Sequence, residues 1–253
     1  RVTRWLHRAL LIVPPGADTV SLGTQLPTLP PTGYRIYTNT IGLPIANIEV
    51  DVLDPIGPSL AHPELRPKTW VGKAANWLHR STRPWVIADV AQIDTLATLS
   101  VERLREAERL LRLQPYILDA RVGAARNRTR DSARVLVRVQ DRWSLNGTVD
   151  ADPGQRRFSI GLQDVNFLGY GHTLSGRYWY DGRPGMPEAY QAGYLVPNIG
   201  RSFITARADY FYDSLFTRAS LDATRDFFSI FTRWAYGARL AHQRQPVFLD
   251  TTE

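Results

Sequence analysis

The sequence predicts an α+β domain followed by an antiparallel transmembrane β-barrel, of which roughly the first half is present. Three observations carry this prediction. Residues 44–140 mix strand and helix patterns, residues 141–253 contain only alternating runs, and short glycine-containing turns join several of those runs. Residues 1–43 form a separate segment in front of both parts.

The clearest hairpin is FSIGLQDVNFLGYGHTLSGRYWY, residues 158–180. Before the turn, Phe158, Ile160 and Leu162 fall on one face of a strand, because successive side chains alternate between two faces. The alternation resumes after the turn, with Leu174 and Tyr178 on one face. Glycine supplies positive φ in tight turns, so LGYG predicts a turn between two antiparallel strands.

Composition narrows the class of protein. The 253 residues are 43% hydrophobic, which is in the globular range, and no apolar run approaches the roughly 20 residues of a membrane helix. This limit does not apply to a membrane barrel, because barrel strands are only about ten residues long and are apolar at every second position. The chain has no cysteine, which removes disulfides and cysteine metal sites. The chain has a net charge of +7, but its arginines are spread through the strands rather than gathered into one run, so we predict no nucleic-acid partner.

The N-terminal segment, residues 1–43, differs in amino-acid composition from the rest of the chain. It begins RVTRWLHRALLIV, a basic and apolar start without the small-residue cleavage site of a signal peptide. Residues 14–33 are dense in proline and glycine. We expect an extended strap, in a chain that starts inside a longer protein.

The α+β part shows strand, helix, strand and strand patterns in turn. In its clearest helix, Ser100 can cap the start and Pro115 ends the pattern. Trp70, Trp77 and Trp85 are separated by seven and eight residues, a helical spacing, so we expect them to pack in the core. The predicted elements are the strand Ile45–Leu53, the helices Trp70–Leu78, residues 83–90 and residues 100–114, and the strands Ile117–Ala125 and Ala133–Val139.

From Trp143 onward, one face of each predicted strand is apolar or aromatic. Aromatic residues gather near the strand ends, as in the interfacial girdles of outer-membrane barrels. The strands of a soluble sandwich or lipocalin-like barrel also alternate apolar and polar residues. Such a protein buries its apolar face inward, however, where the many Arg, Asp and Tyr residues of these strands would be hard to place. The predicted strands are Trp143–Asp150, Phe158–Phe167, Thr173–Tyr180, Ala189–Val196, Phe203–Tyr212, Arg218–Thr224 and Arg233–His242.

The order of these patterns, together with QDVNFLGYGHTL (163–174) and YLVPNIGRSF (194–203), resembles the POTRA-plus-barrel superfamily of outer-membrane assembly factors and translocators, the BamA/TamA-like proteins. ERLREAERLLRLQPYILDARV (102–122) resembles the second helix and second strand of a POTRA domain, and NWLHRSTRPWVI (76–87) resembles the entry to single-POTRA members. The resemblance implies a β-α-α-β-β POTRA domain at residues 44–140 and barrel strands at 141–253. The family barrel motif falls on Asp164, Asn166, Phe167, Gly169 and Gly171.

The resemblance also implies a non-enzymatic function. A POTRA sheet recruits unfolded chains by β-augmentation, and the first barrel strand forms a seam through which a client strand leaves sideways. The implied partners are unfolded outer-membrane or secreted proteins, outer-membrane lipid and periplasmic accessory proteins, at the outer membrane of a Gram-negative bacterium with the POTRA domain in the periplasm. The implied client-binding edge is Ile117, Asp119, Arg121, Val122 and Gly123, and the implied seam strand contains Trp143, Leu145, Asn146, Gly147 and Val149.

Two other functions stay open at this point. A two-partner secretion translocator would export an unfolded exoprotein, and RVTRWLHRALL would be its plug helix. A patatin-like hydrolase fusion would need a Gly-x-Ser-x-Gly elbow upstream of Arg1. The sequence itself contains no such elbow, phosphate loop or His-Glu-x-x-His, and its five histidines have no ligand spacing, so we predict no enzyme activity, cofactor or metal. Glu49, Asp51 and Asp54 are expected on a solvated strand face.

Overall fold

The computed structural model describes residues 40–127, 131–182, 188–213 and 215–245, all within one compact unit spanning residues 34–253. The strap and plug helix expected before residue 40 lie outside these residues. The first half forms an α/β unit that contains three helices, one more than the β-α-α-β-β order. Its elements are β1 (Ile45–Leu53), α1 (Trp70–Leu78), α2 (Pro84–Ala91), α3 (Val101–Arg112), β2 (Ile117–Arg126) and β3 (Ala133–Asp141).

The sheet of the α/β unit has the order β1-β3-β2. β3 lies in the centre, parallel to β1 and antiparallel to β2. Its position between two strands explains why Val135, Val137 and Val139 are fully buried. On its other face, Arg134 and Arg138 form cross-strand ion pairs with Glu49 and Asp51, which lie on a solvated face as expected. β2 is therefore an edge strand.

α3 covers the core side of β2. The hydroxyl of Ser100 accepts a hydrogen bond from the N–H of Arg103 at 3.3 Å, which is the predicted N-terminal cap. Leu104, Ala107 and Leu111 are buried on one helical face, as the 3.6-residue period requires. The core of the unit thus forms between this helix and the sheet.

The three tryptophans do not pack in the core, so that prediction is wrong. Trp70 is 80% exposed, Trp77 is 83% exposed and Trp85 is 51% exposed. For Trp70 and Trp77 the reason is that α1 is attached through Gly72 and Asn76, on its opposite side. Helical spacing places these two tryptophans on one side without deciding that this side faces inward, and Trp85 lies on the separate helix α2.

The second half forms a seven-stranded antiparallel sheet with the order β10-β9-β8-β7-β6-β5-β4, consistent with part of a β-barrel. Consecutive strands pair throughout, so each is a hairpin neighbour of the next. Among the described residues, β4 and β10 each have one partner strand. The strands are β4 (Leu145–Asp152), β5 (Arg157–Phe167), β6 (His172–Asp181), β7 (Ala189–Val196), β8 (Thr205–Tyr212), β9 (Thr217–Arg225) and β10 (Tyr236–Arg244).

Three strand starts differ from those predicted by two or three residues, and those of β5, β6 and β9 differ by one. β4 begins at Leu145 rather than Trp143, because the segment before it is attached to the α/β unit: the N–H of Arg142 donates to the carbonyl of Tyr116 at 2.8 Å. The indole of Trp143 donates to the carbonyl of Leu145 at 2.5 Å. β8 begins at Thr205 rather than Phe203, and β10 begins at Tyr236 rather than Arg233.

The seven-stranded sheet has one apolar and one polar face. Cross-strand pairs align Leu162 with Gly176, and Tyr194 with both Leu174 and Ala208, as the alternation predicts. The polar face carries cross-strand ion pairs such as Arg177–Asp150 at 2.6 Å and Arg239–Asp222 at 3.2 Å. The large apolar side chains of the other face are exposed, including Val149, Ile160, Leu162, Leu221 and Leu240.

None of the helices described here combines the length and the apolar character that crossing a membrane would require.

Candidate functional site

Three residues of the predicted barrel motif, Asn166, Gly169 and Gly171, form a buried joint between the β5–β6 turn and the α/β unit. The side-chain amide of Asn166, 1% exposed, donates to the hydroxyl of Thr82 at 2.9 Å and to the carbonyl of Arg80 at 3.3 Å. Its side-chain oxygen accepts from the N–H of Gly171 at 2.8 Å. One side chain therefore closes the turn and binds the α1–α2 linker.

The two glycines of the turn allow the backbones to approach closely. Gly169 has φ +76°, and a Cβ there would lie 2.4 Å from the carbonyl oxygen of Ser81. Gly171 has φ +69°, and a Cβ there would lie 2.8 Å from the ring of Tyr116. The carbonyl of Gly169 also accepts from the N–H of Arg83 at 2.9 Å. The spacing of these glycines is thus explained by the joint as well as by the turn.

Asp141, at the end of β3, supports the joint from the α/β side. Its fully buried carboxylate accepts from the N–H of Thr82 at 2.7 Å, from the Thr82 hydroxyl at 2.8 Å and from Nε2 of His79 at 2.9 Å. These bonds replace the water that a buried carboxylate loses. Burial and the charge of Asp141 raise the pKa of Tyr116, whose ring packs against Gly171.

The other two residues of the barrel motif lie outside the joint. The carboxylate of Asp164 accepts from the N–H of Asn166 at 2.9 Å. The ring of Phe167 meets that of Tyr194 edge-on, with centroids 6.4 Å apart. Asp164 orients Asn166 and Phe167 packs within the sheet.

Two further turns at the same end of the sheet contact the α/β unit. Arg201, in the β7–β8 turn, pairs with Asp94 at 2.7 Å and with Asp89 at 3.4 Å. Between β9 and β10, the carbonyl of Phe228 accepts from Arg109 at 2.8 Å. Glu106 binds Arg109 at 2.8 Å, and these hydrogen bonds lower the pKa of Glu106. Three turns therefore fix one end of the sheet to the unit.

The predicted client-binding edge on β2 is partly occupied by side chains. Oε2 of Glu108, on α3, accepts from the N–H of Val122 at 3.1 Å. Oδ1 of Asp119 accepts from the N–H of Ala120 at 2.8 Å. Ile117 is buried, while Arg121 and Gly123 lie along the strand opposite Arg138 and Leu136 of β3. A chain that pairs with β2 must displace both carboxylates.

The predicted seam strand β4 is open along its length. All eight of its residues are exposed, and its register runs from Leu145 opposite Asp164 to Asp152 opposite Arg157. The side chain of Asn146 donates only locally, to the carbonyl of Ser144 at 3.3 Å. A Cβ added at Gly147 would meet nothing closer than 4.0 Å, and Val149 is exposed on the apolar face. In the part of the chain described, the outer edge of β4 faces no further strand.

Sequence reasoning missed four residues that build these sites. Thr82, Asp141 and Tyr116 hold the joint, and Glu108 covers the β2 edge. No local pattern identifies them, because their partners lie 14 to 84 residues away in sequence. Within the described ranges, no three His, Asp or Glu side chains cluster closely enough to hold a metal ion.

Neither protein-family models nor curated proteins match the chain. Among solved structures, the chain is similar to BamA from Haemophilus ducreyi lacking POTRA domains 1-3, with a TM-score of 0.43 and 13% identity. The similarity covers 70% of this chain and 31% of that one, so the chain spans about a third of that structure.

Proposed function

We propose that this chain carries the POTRA domain and leading barrel strands of a non-enzymatic outer-membrane assembly factor, which pairs its free strand edges with unfolded client proteins. The observation that carries the proposal is β4. Within the described residues it is an eight-residue strand with one partner strand, and it lies at the edge of a sheet that has an exposed apolar face. An unpaired edge is a template for another strand.

The faces of the sheet support a membrane location. Val149 and Leu240 are more than 70% exposed, and no second layer covers their face in the described residues. Leaving such a face in water is unfavourable, whereas lipid accepts it. The opposite face neutralises its charges in ion pairs such as Arg177–Asp150. This arrangement is the one expected of a barrel wall between lipid and a polar interior.

The edge of β4 supports the mechanism. Backbone N–H and C=O groups pair with any extended chain, so one edge can accept clients of different sequence. Gly147 and Asn146 weaken lateral packing there, because neither provides a β-branched or aromatic side chain. In the proposed mechanism, a client strand pairs with β4 and then leaves into the bilayer.

Disulfide capture on the full-length protein tests this mechanism, and the native chain contains no cysteine. We would introduce Asn146→Cys on β4 and, as the matched control, Ser175→Cys on β6. Both lie in one cross-strand row, Asn146–Gln163–Ser175, but Ser175 is paired on both sides. The probe is an outer-membrane barrel precursor with one cysteine in its last strand.

We expect a precursor adduct with Asn146→Cys and none with Ser175→Cys. Equal adducts at both sites, or no adduct at Asn146→Cys in a protein that remains heat-modifiable on a gel, would reject the seam. A heat-modifiable band in the outer-membrane fraction tests the membrane location independently.

A further inference from the structure

The helix α1 presents an apolar face to solvent. Trp70, Val71, Trp77 and Leu78 are 80%, 56%, 83% and 67% exposed, and at 100° per residue they fall within about one third of the helix circumference. Four large apolar side chains on one short helix exceed the scattered exposure that is normal on protein surfaces. We therefore expect this face of α1 to contact another surface.

The opposite side of α1 is fixed, so the tryptophans cannot turn inward. Gly72 is buried, and a Cβ there would lie 3.0 Å from Cβ of Pro67 and 3.1 Å from Cγ2 of Ile56. The side chain of Asn76 donates to the carbonyl of Ile56 at 2.8 Å and accepts from its N–H at 3.3 Å. The helix is attached by its small and polar side.

The charged residues that flank α1 in the sequence, between Glu64 and Asp89, have one sign. Residues 65–88 contain no Asp or Glu but five basic residues, which are Arg66, Lys68, Lys73, Arg80 and Arg83. A protein partner with an apolar patch would not require this bias. Basic residues flanking exposed tryptophan are typical of helices that lie on anionic membranes, where Trp prefers the headgroup level.

The position of α1 in the fold also favours a membrane contact. The α1–α2 linker binds the β5–β6 turn at the joint, and the rings of Trp85 and Tyr170 are 6.0 Å apart. Leu168 in the turn is exposed, and Leu174 and Tyr194, paired just above it, are exposed on the apolar face of the sheet. An exposed apolar and aromatic surface thus extends from the sheet to the β5–β6 turn, to which the α1–α2 linker is bound.

We propose that α1 lies in the headgroup region of the leaflet next to this end of the sheet, with Trp70, Trp77 and Leu78 inserted and the flanking Lys and Arg bound to anionic phospholipid. The inference rests on the proposed function, because the apolar face of the sheet must already face lipid. The inference goes further than the proposed function because it adds a membrane contact made by a helix, outside the strands. That contact fixes the orientation of the α/β unit against the bilayer.

Site-specific quenching tests the proposal on the full-length protein in vesicles of phosphatidylethanolamine and phosphatidylglycerol. Single cysteines carry an environment-sensitive fluorophore, and nitroxide-labelled lipid is the quencher. Ala74→Cys lies on the face of α1 that carries the tryptophans, and Arg105→Cys is the control at an exposed position of α3. Leu221→Cys reports separately whether the sheet enters the bilayer.

We expect quenching at Ala74 and Leu221 and not at Arg105. We also expect Lys68→Gln and Lys73→Gln each to lower the membrane-bound to unbound ratio of α1 about fivefold, as loss of one surface-adjacent cation predicts. Quenching at Leu221 without quenching at Ala74 would overturn the inference and leave the proposed function standing. Absence of quenching at Leu221 would overturn both.

A protein partner is tested in the same assay. If the Ala74 label is shielded from a water-soluble quencher only after a periplasmic extract is added, a protein covers α1 and the inference is wrong. Replacing both tryptophans, as Trp70→Ser with Trp77→Ser, should abolish quenching at Ala74 and leave quenching at Leu221 unchanged.

Discussion

Glu108 covers the edge of β2 by accepting a hydrogen bond from the N–H of Val122 at 3.1 Å. Arg112 holds this carboxylate at 2.8 Å and also binds Asp119 at 2.9 Å, and Asp119 covers the neighbouring N–H of Ala120. One arginine thus connects the two carboxylates that occupy the β2 edge. Bare sheet edges attract other chains, so these contacts limit the pairing of a further strand with β2.

We predict that Glu108→Ala increases pairing at β2. The substitution frees the Val122 N–H to bond a client backbone, at a cost of about 1 kcal/mol in the free energy of unfolding. The measurement is the yield of disulfide adduct between Arg121→Cys and an unfolded precursor with one cysteine. Arg105→Ala, at an exposed position of the same helix, is the control. An unchanged or lower yield with Glu108→Ala would show that the carboxylate does not restrict this edge.

We predict that Gly171→Ala loosens the joint and that Gly200→Ala does not. Both glycines have positive φ, so each alanine carries a similar backbone cost of about 1 kcal/mol. Only at Gly171 does the new Cβ meet an obstacle, the Tyr116 ring at 2.8 Å, whereas at Gly200 nothing lies within 4 Å. The measurement is the rate of proteolysis of the α1–α2 linker. Equal rates in the two variants would mean that the close approach to Tyr116 does not hold the joint.

The sequence predicts the strands better than the contacts between distant elements. Alternation identified the seven hairpin strands because the period-2 pattern is local, and the apolar face of the sheet followed from it. The same kind of local reasoning misplaced the tryptophans of α1, since the packing of Gly72 on Pro67 and Ile56 and the bond from Asn76 to Ile56 decide which side faces inward. The covering of Val122 by Glu108 depends in the same way on how α3 packs against β2.

We predict that the contact between α3 and the β9–β10 connection weakens in acid. The bonds to Arg109 lower the pKa of Glu106, so the ionised form stabilises the fold above the ordinary glutamate pKa, and this contribution is lost as the pH falls through the lowered value.

The measurement is the melting temperature of the wild type and Glu106→Gln between pH 3 and pH 7. We expect the wild type to be more stable by about 1–2 kcal/mol near neutral pH, because the variant lacks a charge-assisted bond. The difference should shrink toward the acid end, as the pH approaches the lowered pKa of Glu106. A difference that stays constant across this range would exclude Glu106 as the titrating group.

The last prediction concerns the two faces of β9. Leu221 is exposed on the apolar face, while the adjacent Ser220 points to the polar face. If lipid covers the apolar face, Leu221→Arg costs about 2–4 kcal/mol near the bilayer centre, whereas Ser220→Arg places its charge in a polar interior. We therefore expect Leu221→Arg to reduce the heat-modifiable protein in the outer-membrane fraction and Ser220→Arg to leave it near the wild-type level. In water, an exposed leucine would tolerate arginine, so the reverse order, or equal tolerance, would show that this face of the sheet does not contact lipid.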